Sequence, residues 1–135
     1  MKLNQISFNI IAAAIKVHET LGPGLLESVY QKCMVIELRK LGLGVEAEVD
    51  LPVIYEGEKI TDLGFRIDLL VESAVIVELK SVEEVKPVHK KQLLTYLRLA
   101  KKDLGLLINF NEVLIKKGIV RVVNDFKEEA GKQIA

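Results

Sequence analysis

Phe65-Arg66-Ile67-Asp68-Leu69-Leu70-Val71 and Val75-Ile76-Val77-Glu78-Leu79-Lys80, separated by Glu72-Ser73-Ala74, decide how this chain is read. Both are apolar runs rich in branched side chains, interrupted by isolated charges, and they predict strands over residues 64–71 and 74–81. Side chains alternate along a strand, so Glu78 and Lys80 share a face and Leu79 points away. A two-residue turn at Glu72-Ser73 would set Asp68 across from Val77, on the opposite side from Glu78. A three-residue loop over 72–74 sets Asp68 across from Glu78 on one face. We expect the second arrangement, in which the two acids converge. For either strand alone, a solvated edge or a structural ion pair is the readier account.

The elements outward from this hairpin define its surroundings. Pro87 can open a helix, because its missing N–H costs little in a first turn, and this helix ends near Ala100-Lys101-Lys102. Gln92 and Tyr96 lie four apart and stack on one face of it. Leu99 shares that side, Leu93 and Leu97 extend it, and His89 starts on the Gln92 side. Apolar strands are expected over 104–110 and 119–123. The strand–helix–strand step makes the strands that flank the helix parallel.

Toward the N-terminus, Ser7 is expected to cap a first helix running to about Leu21. Ile10, Ile11, Ala14, Ile15 and His18 would form its buried stripe. Gly22-Pro23-Gly24 breaks it, and Pro23 is a candidate opener for a second helix over about 25–40, ended by Gly42 and Gly44. On that helix Tyr30, Met34 and Leu38 lie at about −60°, −20° and +20° from Glu27. Glu27 is therefore expected inside an apolar stripe, although an acid in a first turn is also favoured by the helix dipole. Short strands follow over 45–49 and 51–55, with a turn at 56–59. Residues 124–135 read as a polar helix or frayed tail. The order predicts an α/β fold, a mixed central sheet flanked by helices, in a single domain over 1–135.

Composition sets limits on function. The chain has 135 residues, half of them hydrophobic and 28% charged, enough for a core and too apolar for disorder. Lys+Arg and Asp+Glu are 19 each, which excludes a chain-wide basic character. Residues 1–68 carry 7 basic and 10 acidic side chains, a balance of −3, and residues 69–135 carry 12 and 9, a balance of +3. Lys86, Lys90, Lys91, Arg98, Lys101 and Lys102 form the one basic run, spread over more than one helix face. Cys33 has no partner for a disulfide and is expected to be buried, which fits a reducing, cytoplasmic setting. No stretch approaches the roughly 18 apolar residues of a membrane span.

The acids point to a hard cation. Carboxylates gathered beside a lysine suit Mg²⁺, with Mn²⁺ as a substitute, since such ions take oxygen ligands, waters and substrate phosphate. A bound cation can polarise a phosphodiester and activate water, and Lys80 could orient that water or stabilise developing charge. One cysteine and two distant histidines give no zinc spacing. No Gly-x-x-x-x-Gly-Lys loop is present, so nucleoside triphosphate hydrolysis has no support.

Gly24-Leu25-Leu26-Glu27-Ser28-Val29-Tyr30 resembles the name motif of the GxxExxY protein family, which is assigned to the PD-(D/E)XK nuclease superfamily. Arg66-Ile67-Asp68 and Glu78-Leu79-Lys80 are similar to that superfamily's acidic and E-x-K motifs. Gln92-Leu93-Leu94-Thr95-Tyr96 resembles the QxxxY motif of some of its branches. Ile67 stands where the superfamily's name has proline. The likeness runs from about Ile6 to Val123 and implies a restriction-endonuclease-like αβββαβ core with Mg²⁺-dependent phosphodiester cleavage. Carried over by position, it implies that Asp68, Glu78 and the Leu79 carbonyl bind metal, with Glu27 as a further acid acting directly or through water. Lys80 would serve the nucleophilic water, and Gln92 and Tyr96 would contact substrate, with His89 as another candidate contact.

A nuclease, with DNA favoured over RNA, is thus the leading expectation. The alternative is a non-catalytic nucleic-acid-binding or assembly subunit that keeps the fold. A homodimer or a helicase-type partner is expected, and a membrane partner is not.

Overall fold

The computed structural model of the protein describes residues 1–60 and 64–124. Two helices open the chain, α1 (Leu3–Leu21) and α2 (Glu27–Lys40). Strand β1 (Val45–Leu51) follows, then a small hairpin of β2 (Ile54–Tyr55) and β3 (Glu58–Lys59), then β4 (Phe65–Val71) and β5 (Val75–Lys80). Helix α3 (Pro87–Ala100) leads to β6 (Leu104–Asn109), a 3₁₀ turn (Ile115–Gly118) and β7 (Ile119–Val123). The five longer strands form one sheet in the order β1-β4-β5-β6-β7. β5 and β6 are parallel and the other neighbours antiparallel, as expected for a crossover through α3. The architecture is the mixed α/β sheet flanked by helices that the sequence predicted. Among the described residues no helix is long and apolar enough to cross a membrane.

The sheet has a core on each face. Ile6, Ile10, Ala14 and Val17 of α1 and Tyr30, Met34 and Leu38 of α2 pack on Val75, Val77 and Leu79 of β5 and on Leu106 and Ile108 of β6. On the other face Leu93, Tyr96 and Leu97 of α3 pack on Ile67, Ile76 and Leu107. Each such Val, Leu, Ile or Met side chain, taken fully out of water, contributes about 1.5–3 kcal/mol. β5 is buried along nearly its whole length because helices cover both faces of it.

Several local expectations are corrected. Ser7 is not a cap: α1 begins at Leu3, and Ser7 is buried inside it, donating to the Asn4 carbonyl and accepting from Arg121. The stripe of α1 centres on Ile6, Ile10, Ala13, Ala14 and Val17, with Ile11 and Ile15 only partly buried beside it. Pro23 does not open α2, which starts at Glu27 after the Gly22–Leu26 loop. Cys33 is half-buried rather than fully buried. β1 runs unbroken through residue 50 to Leu51. Of the polar tail expected at 124–135, Asn124 is buried and bonded to Asp103 and Lys102. Residues 125–135 lie outside the described residues.

One irregularity crosses two strands. Ile67 faces α3, whereas Leu69 and Val71 face α1 and α2, although strict alternation would put all three on one side. The same reversal separates Val45 from Val49 and Leu51 in β1. The β1–β4 register is continuous on either side and omits only the step at Glu48 and Asp68. Glu48 is in the left-handed region at φ 54°, uncommon for a residue with a side chain. Both strands therefore kink at one step, and Asp68 sits on the kink.

Candidate functional site

The β4–β5 hairpin has the three-residue loop. Val71 pairs with Val75, Leu70 with Ile76 and Leu69 with Val77, with Glu72 and Ser73 both at positive φ in the connection. Continuing that register brings Asp68 opposite Glu78, and there the backbone ladder stops. Side chains replace it: the Asp68 N–H donates to Glu78 Oε2 at 2.8 Å, and the Leu79 N–H donates to Asp68 Oδ2 at 2.8 Å. Each carboxylate is thus fixed by a backbone donor of the other strand. The Leu79 N–H bond also fixes direction. A residue in a strand turns its N–H and C=O to the same neighbour, so the Leu79 carbonyl faces the same opened gap.

Burial and mutual repulsion dominate the electrostatics. Glu78 is 6% exposed. Its carboxyl is pushed up to about 8, first by burial and then by Asp68, with the backbone bond and Lys80 opposing. Asp68 is also raised, by burial above all, while the Leu79 N–H and Lys80 pull it down and Glu27 and Glu48 push it up. Two acids that both resist ionisation form a site that a cation would relieve. Tyr96 is packed into the α3-side core, and its hydroxyl is raised by burial and then by the charges of Glu78 and Asp68.

The second helix brings Glu27 to the same end of β5 by a loop built for the purpose. Gly24 takes φ 95°, which costs glycine little. The Tyr30 hydroxyl donates to the Gly22 carbonyl at 2.6 Å and accepts from the Leu25 N–H at 3.1 Å. Its ring is fully buried and stacks on Phe110, 4.4 Å between centroids and 10° between planes. The loop is then tied to the strand, since Ser81 donates its hydroxyl to Leu25 O at 2.7 Å and its N–H to Glu27 Oε2 at 3.3 Å. Gly24, Glu27 and Tyr30 thus act as bend, acid and clamp. Glu27 lies on the Tyr30 side of α2, as its angle required. It is exposed rather than buried, because the first turn overhangs the end of the core.

The other expected residues are less closely gathered. Gln92 is exposed on α3, not an amide buried among leucines. His89 accepts the Lys86 N–H on Nδ1 at 3.0 Å and so serves the start of its own helix. His18 is a core residue whose Nε2–H donates to the Glu112 carbonyl at 2.7 Å. Three residues of the site have little or no signal in the sequence. Glu48 stands across from Asp68 at the kink and its charge is felt there, which no local pattern announces. Ser81 was legible only as the residue after Glu-x-Lys. Asn109, fully buried, exchanges hydrogen bonds with the N–H and C=O of Val82 and accepts from Asn111 N–H. It fixes the chain where it leaves β5.

The donor chemistry fits a hard divalent cation. Asp68, Glu78 and the Leu79 carbonyl offer only oxygen, and Glu27 lies at the rim. Among the described residues no three His, Cys, Asp or Glu side chains cluster tightly enough to hold an ion by themselves. Backbone and water oxygens would complete such a site, which is ordinary for Mg²⁺.

A family model described as the PD-(D/E)XK nuclease superfamily matches residues 4–122. No curated protein matches the chain significantly.

Proposed function

The chain belongs to the PD-(D/E)XK nuclease superfamily, and from that premise we propose that it is a metal-dependent nuclease that hydrolyses phosphodiester bonds, DNA in preference to RNA. Within the superfamily we place it with the GxxExxY proteins, on Gly24, Glu27 and Tyr30, and read residues 1–135 as one such domain. The observation that carries the reading is the replacement of the β4–β5 ladder by two reciprocal carboxylate–backbone bonds beside Lys80. A merely structural hairpin would have continued its ladder and kept these acids in water.

Asp68, Glu78 and the Leu79 carbonyl would hold Mg²⁺ or Mn²⁺, with Glu27 adding charge through an intervening water. Such an ion, when bound, supplies Lewis acidity toward the phosphodiester and a more acidic water. Lys80 shares the Glu78 face, and its charge opposes the rise that burial imposes on both carboxyls. Its ammonium orients the attacking water and offsets negative charge as it builds on phosphorus. Tyr96 closes the wall behind the acids, and Gln92, exposed one turn earlier on α3, contacts the substrate backbone, with His89 at the rim. The small, neutral, apolar-rich chain works as a homodimer in this proposal. A monomeric mass by light scattering at micromolar concentration counts against that element alone.

Incubation with Mg²⁺ or Mn²⁺ and labelled single- and double-stranded DNA and RNA tests the activity. Cutting that needs metal and disappears in Asp68→Ala supports it. Salt-sensitive binding without metal-dependent cutting would instead favour a binding module.

A further inference from the structure

The α3 face of the sheet carries an aromatic surface that the catalytic proposal leaves unused. Phe65 opens β4, three residues before Asp68 and so about 10 Å along the strand. It lies on the same face as Ile67, yet Ile67 is 2% exposed and Phe65 is 47% exposed. Its ring rests against Tyr96, with centroids 5.7 Å apart and planes inclined by 41°. Tyr96 is buried beneath it in the α3-side core, close enough to Glu78 and Asp68 to feel their charges. The open phenyl ring thus shares a strand with Asp68 and a neighbour with both acids. Among the described residues the ring rests on Tyr96 and leaves about half of the residue open to solvent, an arrangement that offers a supported stacking surface.

We propose that Phe65 stacks an unpaired base next to the phosphodiester that enters the Asp68–Glu78 site, so that the site takes single-stranded or frayed DNA without reading its sequence. The inference rests on the nuclease reading and specifies its substrate class. The ring has no hydrogen-bonding atom, so it takes any base by its π-face. Inside a duplex both faces of a base are occupied by its neighbours, and a base must leave the stack before a protein ring can cover it. A strand end, a gap or a single strand meets that condition at no unstacking cost. The α3 lysines Lys90 and Lys91 are exposed along the same helix and add sequence-independent attraction for phosphate.

Equilibrium binding in EDTA, where no strand is cut, tests this with a fluorescent single-stranded oligonucleotide, the same oligonucleotide with abasic positions, and its duplex. For Phe65→Ala we expect a roughly 5- to 100-fold weaker affinity for the single strand. Duplex affinity should be unchanged, and the abasic strand should bind wild type and variant alike. Phe65→Trp should restore single-strand binding, whereas Phe65→Leu, which keeps apolar bulk and protects against misfolding, should not. Phe8→Ala, which removes a 73% exposed ring from α1 on the opposite face, should bind as wild type. Equal losses on single strand and duplex, full binding by Phe65→Leu, or no effect of Phe65→Ala would each overturn the inference. If metal-dependent cutting persists in those cases, the nuclease reading stands and only the stacking role falls. Aromatic-dependent binding by a protein that cuts nothing would keep the stacking role and remove the nuclease reading.

Discussion

Replacing Glu78 by glutamine should remove a pH dependence of stability that the fold itself creates. Glu78 titrates near its ordinary value of 4.5 in the unfolded chain and near 8 in the folded one. Between those values the native state binds a proton that the unfolded state has lost, so stability falls as pH rises. The penalty is absent below pH 4.5, grows by at most about 1.4 kcal/mol per pH unit, and is complete above pH 8. Its full size is about 5 kcal/mol, and Asp68, raised in the same direction, adds to it. Glu78→Gln keeps an oxygen for the Asp68 N–H and carries no charge. In EDTA, its Tm should match wild type near pH 5 and exceed it by about 10 °C near pH 8.5 for a domain of this size. Thermal unfolding followed by circular dichroism from pH 5 to 8.5 measures the difference. Wild-type and Glu78→Gln curves that stay parallel over the whole range would mean that Glu78 is not held in a charge-averse position.

Tyr30→Phe should cost about 1–2 kcal/mol by removing the hydroxyl bonds to Gly22 and Leu25, seen in urea as a lower midpoint with an unchanged slope. Asn109→Ala should cost about 3 kcal/mol, since both polar groups of Val82 lose their partner, measured in the same titration. Gly105→Ala puts a methyl group 2.9 Å from Leu93 Cδ1 and should destabilise by about 1–3 kcal/mol through overpacking under α3. A Tm equal to that of wild type would show that Leu93 moves aside freely.

Much of this site could be read from the strands, because alternation and loop length are local properties. Alternation allowed two outcomes and made the meeting of Asp68 and Glu78 conditional on an odd loop; the loop over 72–74 is the odd one, and the register from Val71–Val75 to Leu69–Val77 leads them there. Pro87 marked the start of α3 because its ring tolerates only that kind of position. The angular position of Glu27 was also legible, but its exposure was not, because a helical wheel does not show where the core ends beneath the first turn. The kink at Glu48 was hidden for a similar reason. A left-handed glutamate has no sequence signature, and its partner Asp68 is distant in the chain. Ser7 misled because a serine before an apolar stripe resembles a cap. The residues before it are equally able to continue the helix, and Gln5 accepts the Lys2 N–H at its actual start. The Tyr30 hydroxyl and Asn109 act on backbone groups brought near only by folding, and no pattern of residue types reveals those.

Whether Asp68 and Glu78 gather around a hard cation is decided by Mn²⁺ titration calorimetry at pH 8 on wild type and on Asp68→Asn. Wild type should show a saturable site that is lost or weakened at least tenfold in Asp68→Asn, with protons released on binding because Glu78 must ionise. Equal Mn²⁺ affinity in the two proteins, or binding in neither, would contradict it.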